Sequence, residues 1–203
     1  HHDRIDSPVL RRRLDEVAAF RLSDPPGKKR RAASTREMAK TPYLFGQWTR
    51  MDKPCIVIPR HVSHDRRYFV AAHYPATTIV GDSAFYSIDP DGLLFGLISS
   101  SMFWVWQLTV GGRIKSDPRF ANTLTWNNFP LPQITDKARQ RIISAGEGVR
   151  RARNQLAGLT LAEMYSPLSM DKALLKAHEA LDRDVDLAFG APKRCTTDRQ
   201  RLE

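Results

Sequence analysis

Twenty residues near the middle of the chain, 92–111 (GLLFGLISSSMFWVWQLTVG), carry no charged side chain. A run of that length and apolarity has two stable fates: it crosses a bilayer, or it lies inside a protein core. Ser99, Ser100, Ser101 and Gln107 stand within it, no second span accompanies it, and strand and loop sequence surrounds it. A buried core helix is therefore expected, with no membrane association. Asp89-Pro90 supplies its start and Gly111-Gly112 its stop.

With 203 residues and 41% hydrophobic composition, the chain can bury one sizeable core, or one core and a small helical appendage. Its 32 basic against 22 acidic residues give a net charge of +10, which favours a polyanionic partner, nucleic acid before others. The two cysteines, Cys55 and Cys195, are far apart. That fits a reducing, cytoplasmic setting and argues against a disulfide framework or a thiolate zinc site. No signal peptide opens the chain. His1-His2 reads as the end of a purification tag, and Leu202-Glu203 as a cloning scar or native sequence.

Ser7-Pro8 reads as an N-cap with proline at the first helical position, followed by the stripe Leu10, Leu14, Val17 and Ala18 and a stop near Ser23. Residues 24–35 have loop composition. Their basic run, Lys28 to Arg31, is either a solvated loop or a set of phosphate contacts. Residues 55–59, 68–72 and 78–80 are short, β-rich and bounded by turn residues, and 85–88 reads as a fourth strand. Residues 113–133 read as irregular. Beyond Pro132 the pattern turns helical. Ile142, Ala145, Val149, Ala152 and Leu156 share a face, and Gly158 ends that helix. Thr160 and Glu163 form a capping box, and Pro167 stops the short helix behind it. Leu174, Ala177, Leu181, Val185 and Ala188 mark a last helix before Gly190 and Pro192. The expected fold is α+β: a small mixed or antiparallel sheet with a buried core helix over residues 1–133, then an all-α subdomain over 134–203.

Catalytic motifs are missing. Ser23-Asp24-Pro25-Pro26-Gly27 lacks the aromatic that follows the prolines in amino-methyltransferases and stacks on an extruded base. No glycine-rich strand–turn–helix offers a site for S-adenosylmethionine or a nucleotide, and no acidic pair with lysine suggests a nuclease. His61, His64 and His73 lack carboxylates or thiolates at ligand spacing and stand among arginines, so no metal site is expected.

Two segments remain as readers of nucleic acid. In the first, Arg60, Ser63, His64, Arg66 and Arg67 lie on a loop between two strands. Such groups position a duplex through its phosphates, although a solvated hairpin tip has the same composition. In the second, Arg113, Lys115, Ser116, Asp117 and Arg119 follow the core helix, so the base is held while the tip protrudes. Residues at i and i+2 of an extended segment point the same way. Lysine donates to guanine and aspartate accepts from cytosine, so Lys115 and Asp117 together suit one G·C pair. A surface salt bridge between them is the plain alternative.

Several runs together resemble the C-terminal part of MmeI-like (type IIL) restriction–modification enzymes. They are Lys40-Thr41-Pro42 before Phe45, Pro59-Arg60 with Arg66-Arg67-Tyr68, Asp82-Ser83-Ala84 and Ser100-Ser101-Met102. Gly112-Arg113-Ile114-Lys115-Ser116-Asp117 and Trp126-Asn127-Asn128-Phe129-Pro130 follow, then Leu161-Ala162-Glu163-Met164-Tyr165 and the run from Lys176 to Asp182. Their order and spacing carry the resemblance over nearly the whole chain. It implies a target recognition domain and the helical domain after it, taken from a bacterial enzyme that also holds an adenine methyltransferase; such enzymes carry a nuclease as well, and the absent catalytic motifs leave open a parent that cuts and one that only methylates. S-adenosylmethionine would then serve the missing catalytic domain, with double-stranded DNA and the methyltransferase domain as partners. In that family the Lys-x-Asp position alternates with Glu-x-Arg, following G or C in the target. Lys115 and Asp117 match the Lys-x-Asp form, Arg119 matches a further specificity position, and Ser83 another.

The reading that follows is sequence-specific recognition of duplex DNA: Lys115, Asp117, Arg119 and Ser83 read bases, and Arg60, Ser63, His64, Arg66, Arg67, Arg113 and Ser116 hold the backbone. Its rival is a protein-interaction module in which the tail helices dock a partner and the basic loops are incidental.

Overall fold

A computed structural model describes residues 7–27, 29–44 and 51–203, so His1-His2, Lys28 of the basic run and Phe45 lie outside the described residues. The chain divides into two compact units, residues 1–49 and 50–203.

In the first unit Ser7 caps α1 (Pro8–Leu22), its hydroxyl accepting from the Leu10 N–H at 3.5 Å. Pro8 takes the opening position, where a missing N–H forfeits no hydrogen bond. The helix ends at Ser23 as the sequence predicts, but it buries none of its residues. A short helix α2 (Ala33–Glu37) and a 3-10 turn (Met38–Lys40) follow. Arg21 gathers them, donating to the carbonyls of Met38 at 2.6 Å, Thr41 at 3.1 Å and Leu44 at 2.9 Å. Arg31 lies 4.0 Å over the Phe20 ring and donates to the Ser23 carbonyl at 2.8 Å. One member of the basic run thus braces its own loop.

In the second unit β1 (Cys55–Pro59) is the centre of a three-stranded antiparallel sheet, with β2 (Ala72–Tyr74) and β3 (Ala84–Ile88) at its edges. Val57 pairs with Ala72 on one side and Tyr86 on the other. Two expected strands fail to form. Residues 68–71 are buried without alternation and join the sheet only at Ala72. Phe69 instead meets Phe103 edge-on at 5.5 Å, so this segment fills the core. Residues 78–80 find both edges of β1 already taken and run outside, with Ile79 half exposed.

The uncharged run makes two helices, α3 (Leu93–Ile98) and α4 (Ser101–Val110), where one was expected. Serine competes for backbone partners and prefers caps. The Ser100 hydroxyl donates to the Leu97 carbonyl at 2.6 Å and accepts from the Phe103 N–H at 3.3 Å, ending one helix and opening the next. Asp89 starts α3 by accepting from the N–H groups of Leu94 at 3.1 Å and Phe95 at 2.9 Å. Among the described residues no helix is long and apolar enough to cross a membrane.

Residues 113–119, expected to be irregular, form with Gly112 a hairpin of β4 (Gly112–Ile114) and β5 (Asp117–Arg119). A π-helical turn (Asn122–Trp126) follows, then α5 (Asp136–Gln155), α6 (Leu161–Met164), α7 (Lys172–Ala188) and a short α8 (Asp198–Leu202) that the sequence reading did not foresee. The Thr160–Glu163 capping box forms as predicted. Gly158 and Gly190 lie just past helix ends with φ of +100° and +96°, the left-handed conformation that favours glycine.

The helices pack directly on the strand region. A Cβ on Gly96 of α3 would sit 2.8 Å from Ile142 Cγ2 of α5, so the two backbones approach closely there. Ile142, Val149, Leu174, Leu181 and Val185 are buried in the same core as Phe69, Phe95 and Phe103. The architecture is a mixed α+β fold with small antiparallel sheets and C-terminal helices.

Candidate nucleic-acid interface

The two segments singled out in the sequence are stitched together by contacts between residues more than fifty positions apart. His61 and Arg119 form an antiparallel bridge. Val62 N–H donates to the Pro118 carbonyl at 3.2 Å, and Phe120 N–H donates to the Arg60 carbonyl at 2.9 Å. Arg60 N–H donates to the Ser83 carbonyl at 3.3 Å, which brings the turn before β3 to the same place. The loop after β1, the β4–β5 hairpin and Ser83 therefore form one surface. Beside it opens a pocket of about 350 Å³ whose wall includes His61, Ser63, Arg66, Ser83 and Leu161.

The hairpin corrects the argument for Lys115 and Asp117. Asp117 opens β5, but Lys115 does not lie in an extended segment. Ile114 pairs with Asp117, so Lys115 and Ser116 are the central residues of a two-residue turn. Lys115 has φ +55°, the only positive value for a non-glycine residue among the described residues, and it is exposed. Two-residue hairpins need such a conformation because it matches the strand twist, and they usually place glycine or asparagine there. Asp117 does not pair with Lys115. Its carboxylate accepts from the His64 N–H at 3.2 Å, with the imidazole Nδ1 at 3.7 Å from the same oxygen.

Several expected phosphate ligands are also internal braces. Arg113 donates to the Ser116 carbonyl at 3.0 Å and the Leu108 carbonyl at 3.3 Å, tying the turn to the end of α4. Arg66 donates to the carbonyls of Leu161 at 3.1 Å and Ala162 at 3.5 Å. Arg60 lies over the Phe85 ring, 5.3 Å from its centroid. The Ser63 hydroxyl bonds to the Asp65 carboxylate; with the local backbone bond and the charges of His64 and Arg66, it holds that carboxyl below the ordinary range. His64, Arg67, Lys115, Ser116, Arg119 and Ser83 are exposed.

One positioning residue was missed. Gln107, buried in α4, donates to the Arg119 carbonyl at 3.2 Å and fixes β5 against the core. A lone glutamine in an otherwise apolar helix was the available signal, since a buried amide needs a partner. His73 stands apart from His61 and His64, its Nε2 2.6 Å from the Asp89 carbonyl oxygen. Among the described residues no three His, Cys, Asp or Glu side chains converge as metal ligands would.

An exposed basic hairpin held on a small sheet, with helices packed behind it, is the arrangement of a target recognition domain joined to a helical tail. Residues 2–133 match the family described as the MmeI target recognition domain, and residues 134–203 match the MmeI C-terminal domain. The chain belongs to the MmeI family of restriction–modification proteins. It is 32% identical to DNA methyltransferase A of Bacillus subtilis (strain 168) over 169 residues, 83% of this chain and 19% of that protein. A solved structure of the type IIL restriction–modification enzyme MmeI in complex with DNA matches with a TM-score of 0.81 and 31% identity, over 96% of this chain and 25% of the solved one. The chain thus spans about a fifth to a quarter of the length of these relatives.

Proposed function

We propose that this chain selects the site at which a DNA adenine methyltransferase of a restriction–modification system acts. Lys115 and Asp117, with Arg119 and Ser83, read base edges. His64, Arg67 and Ser116 contact the sugar-phosphate backbone, and Arg60, Ser63, Arg66 and Arg113 add to that contact with whatever donors their bracing roles leave free. The observation that carries the reading is the hairpin itself: an exposed lysine at the turn, tied by backbone bonds to the loop bearing His64 and by Gln107 to a buried helix. Such a projection is stiff enough to enter a groove and hold a donor in register with a base.

The methyl transfer lies outside this chain in the proposal. The sheet is wholly antiparallel, so it has no parallel-strand switch point of the kind that holds nucleotide cofactors. The N-terminus of α3, at the turn from β3, is already filled by the Asp89 carboxylate. S-adenosylmethionine therefore fits the catalytic part of a longer polypeptide, where it would supply the methyl group for the adenine amine. Double-stranded DNA and that catalytic part are the partners, and the cytoplasm is the compartment.

Exchanging Lys115→Glu and Asp117→Arg together in the complete enzyme moves one position of the methylated motif from G to C. Methylation mapping reads the outcome, and an unchanged motif would refute base reading by this hairpin.

A further inference from the structure

The arginines of α5 divide into two groups. Arg139 pairs with Asp91, Arg141 lies 3.8 Å from Asp184, and Arg151 lies 3.9 Å from Glu147. Arg150 and Arg153 have no carboxylate within ion-pair distance among the described residues. For Arg153 this is unusual, because the residue is 7% exposed. A buried guanidinium without a counter-charge is costly, and such groups are normally paired.

Arg153 is nevertheless held firmly. Its Nε donates to the Tyr165 hydroxyl at 2.7 Å and its Nη1 to the Ala71 carbonyl at 2.6 Å. The guanidinium carbon lies 5.2 Å from the Phe95 ring centroid and 4.9 Å from that of Tyr165. The remaining nitrogen, Nη2, is buried and has no hydrogen-bond partner. The residue also lines a pocket of about 530 Å³ with Arg150, Asn154, His73 and Tyr74. Arg150, Arg153 and Asn154 stand at i, i+3 and i+4, neighbouring positions on one face of the helix. The Arg153 charge is felt nearby: burial first, then that charge, holds His178 well below the ordinary histidine pKa.

We infer that this pocket binds a phosphate-type oxyanion, with Arg150 and Asn154 as its donors and the buried Arg153 guanidinium as the positive charge behind them. A tetrahedral oxyanion supplies the missing counter-charge and several acceptor oxygens for guanidinium and amide donors. The pocket shares Ala72, Tyr74 and Leu161 with the one beside Ser83 and Arg66, so the two adjoin. Two sources of the anion fit that placement: a backbone phosphate of a bound duplex, or free phosphate. The site itself does not depend on the proposed base reading.

The test uses the 203-residue chain with inorganic phosphate and, separately, a duplex of random sequence. Phosphate, titrated against chloride at constant ionic strength, moves the Arg153 Nε–H resonance saturably, and Arg150→Ala weakens that binding at least about fivefold. On duplex DNA, Arg150→Ala lowers the slope of log affinity against log salt by about one if a DNA phosphate fills the site. A saturable shift with an unchanged slope assigns the pocket to free phosphate. Absence of a saturable shift overturns the site, whatever the duplex does. Loss of all duplex binding by the unaltered chain counts against the proposed function and leaves the phosphate result standing. Arg150 is a partly exposed helix residue, so its alanine variant folds even where Arg153→Met does not.

Discussion

Asp182 of α7 offers a sharp test of how the helical tail holds the strand region. It is 3% exposed and accepts from the Ser101 N–H and hydroxyl, both at 2.7 Å, and from the Tyr68 hydroxyl at 3.5 Å. It therefore caps α4 from a different element. Asp182→Ala strands a buried backbone N–H and a buried phenol. Each unsatisfied buried group costs about 1–3 kcal/mol, so the expected loss is roughly 2–5 kcal/mol. Asp182→Asn keeps one acceptor for the Ser101 N–H and turns an amide donor toward two hydroxyls that can accept. Burial already raises the Asp182 pKa, so the carboxylate charge is itself disfavoured there. The asparagine variant should remain within about 1 kcal/mol of the parent. Urea unfolding followed by tryptophan fluorescence measures both, since Trp104 and Trp106 lie on α4. Equal losses in the two variants would refute the reasoning, because the site would then be held by charge, with Arg201 Nη2 3.9 Å from Asp182 as the partner.

Other outcomes follow from the same contacts. Lys115→Gly relieves a positive φ, which costs a side-chain-bearing residue about 1–2 kcal/mol, against up to about 1 kcal/mol of added chain entropy. Chemical denaturation should show stability unchanged or slightly raised, while discrimination among target sequences falls. Arg67→Ala lowers the salt slope of DNA binding by about one without changing stability, whereas Arg66→Ala also costs about 1 kcal/mol through its bond to the Leu161 carbonyl; salt titrations and urea melts on the pair separate the two effects. Gly96→Ala loses about 1–3 kcal/mol against Ile142, more than the helix-propensity gain of about 1 kcal/mol, as a urea melt would record. Finally, the folded-state pKa of His178 is depressed, so the unfolded chain binds its proton more readily. Stability therefore falls as pH drops through about 6.5, the ordinary histidine value, and His178→Gln removes that part of a pH-dependent unfolding profile.

The sequence carried different features to different depths. The helices α5, α6 and α7 of the tail were legible because periodicity, the Thr160–Glu163 capping box and terminal glycines are local signals, whereas the five-residue α8 is too short to show a period. The uncharged run was recognised as buried, but its break at Ser99-Ser100 was not: Ser100 is a local cap, yet nothing in the run shows that Asp182, 81 residues beyond Ser101, also satisfies the start of α4. Residues 68–71 looked like a strand because β propensity cannot tell a paired edge from an unpaired apolar segment filling a core. At the candidate interface, residue types pointed to both basic segments, but nothing local showed that backbone bonds join them. Nor could spacing show that Lys115 sits within a tight turn that Asp117 closes, or that Arg66 and Arg113 spend donors on carbonyls. Those facts depend on which elements meet in three dimensions.

The contacts that cross from the strand region to the tail have a consequence for inheritance. Arg66 bonds the Leu161 carbonyl, Arg153 bonds the Ala71 carbonyl, Asp182 caps α4, and Gly96 admits Ile142. All of them span the junction at 133 and 134 where the two family matches meet. A recombination event there would yield a chimera whose halves must agree at every one of these positions. Genetic exchange that preserves the fold is therefore expected to carry residues 50–203 as a single block; on the proposed base reading, new specificities would arise by point substitution at the hairpin turn.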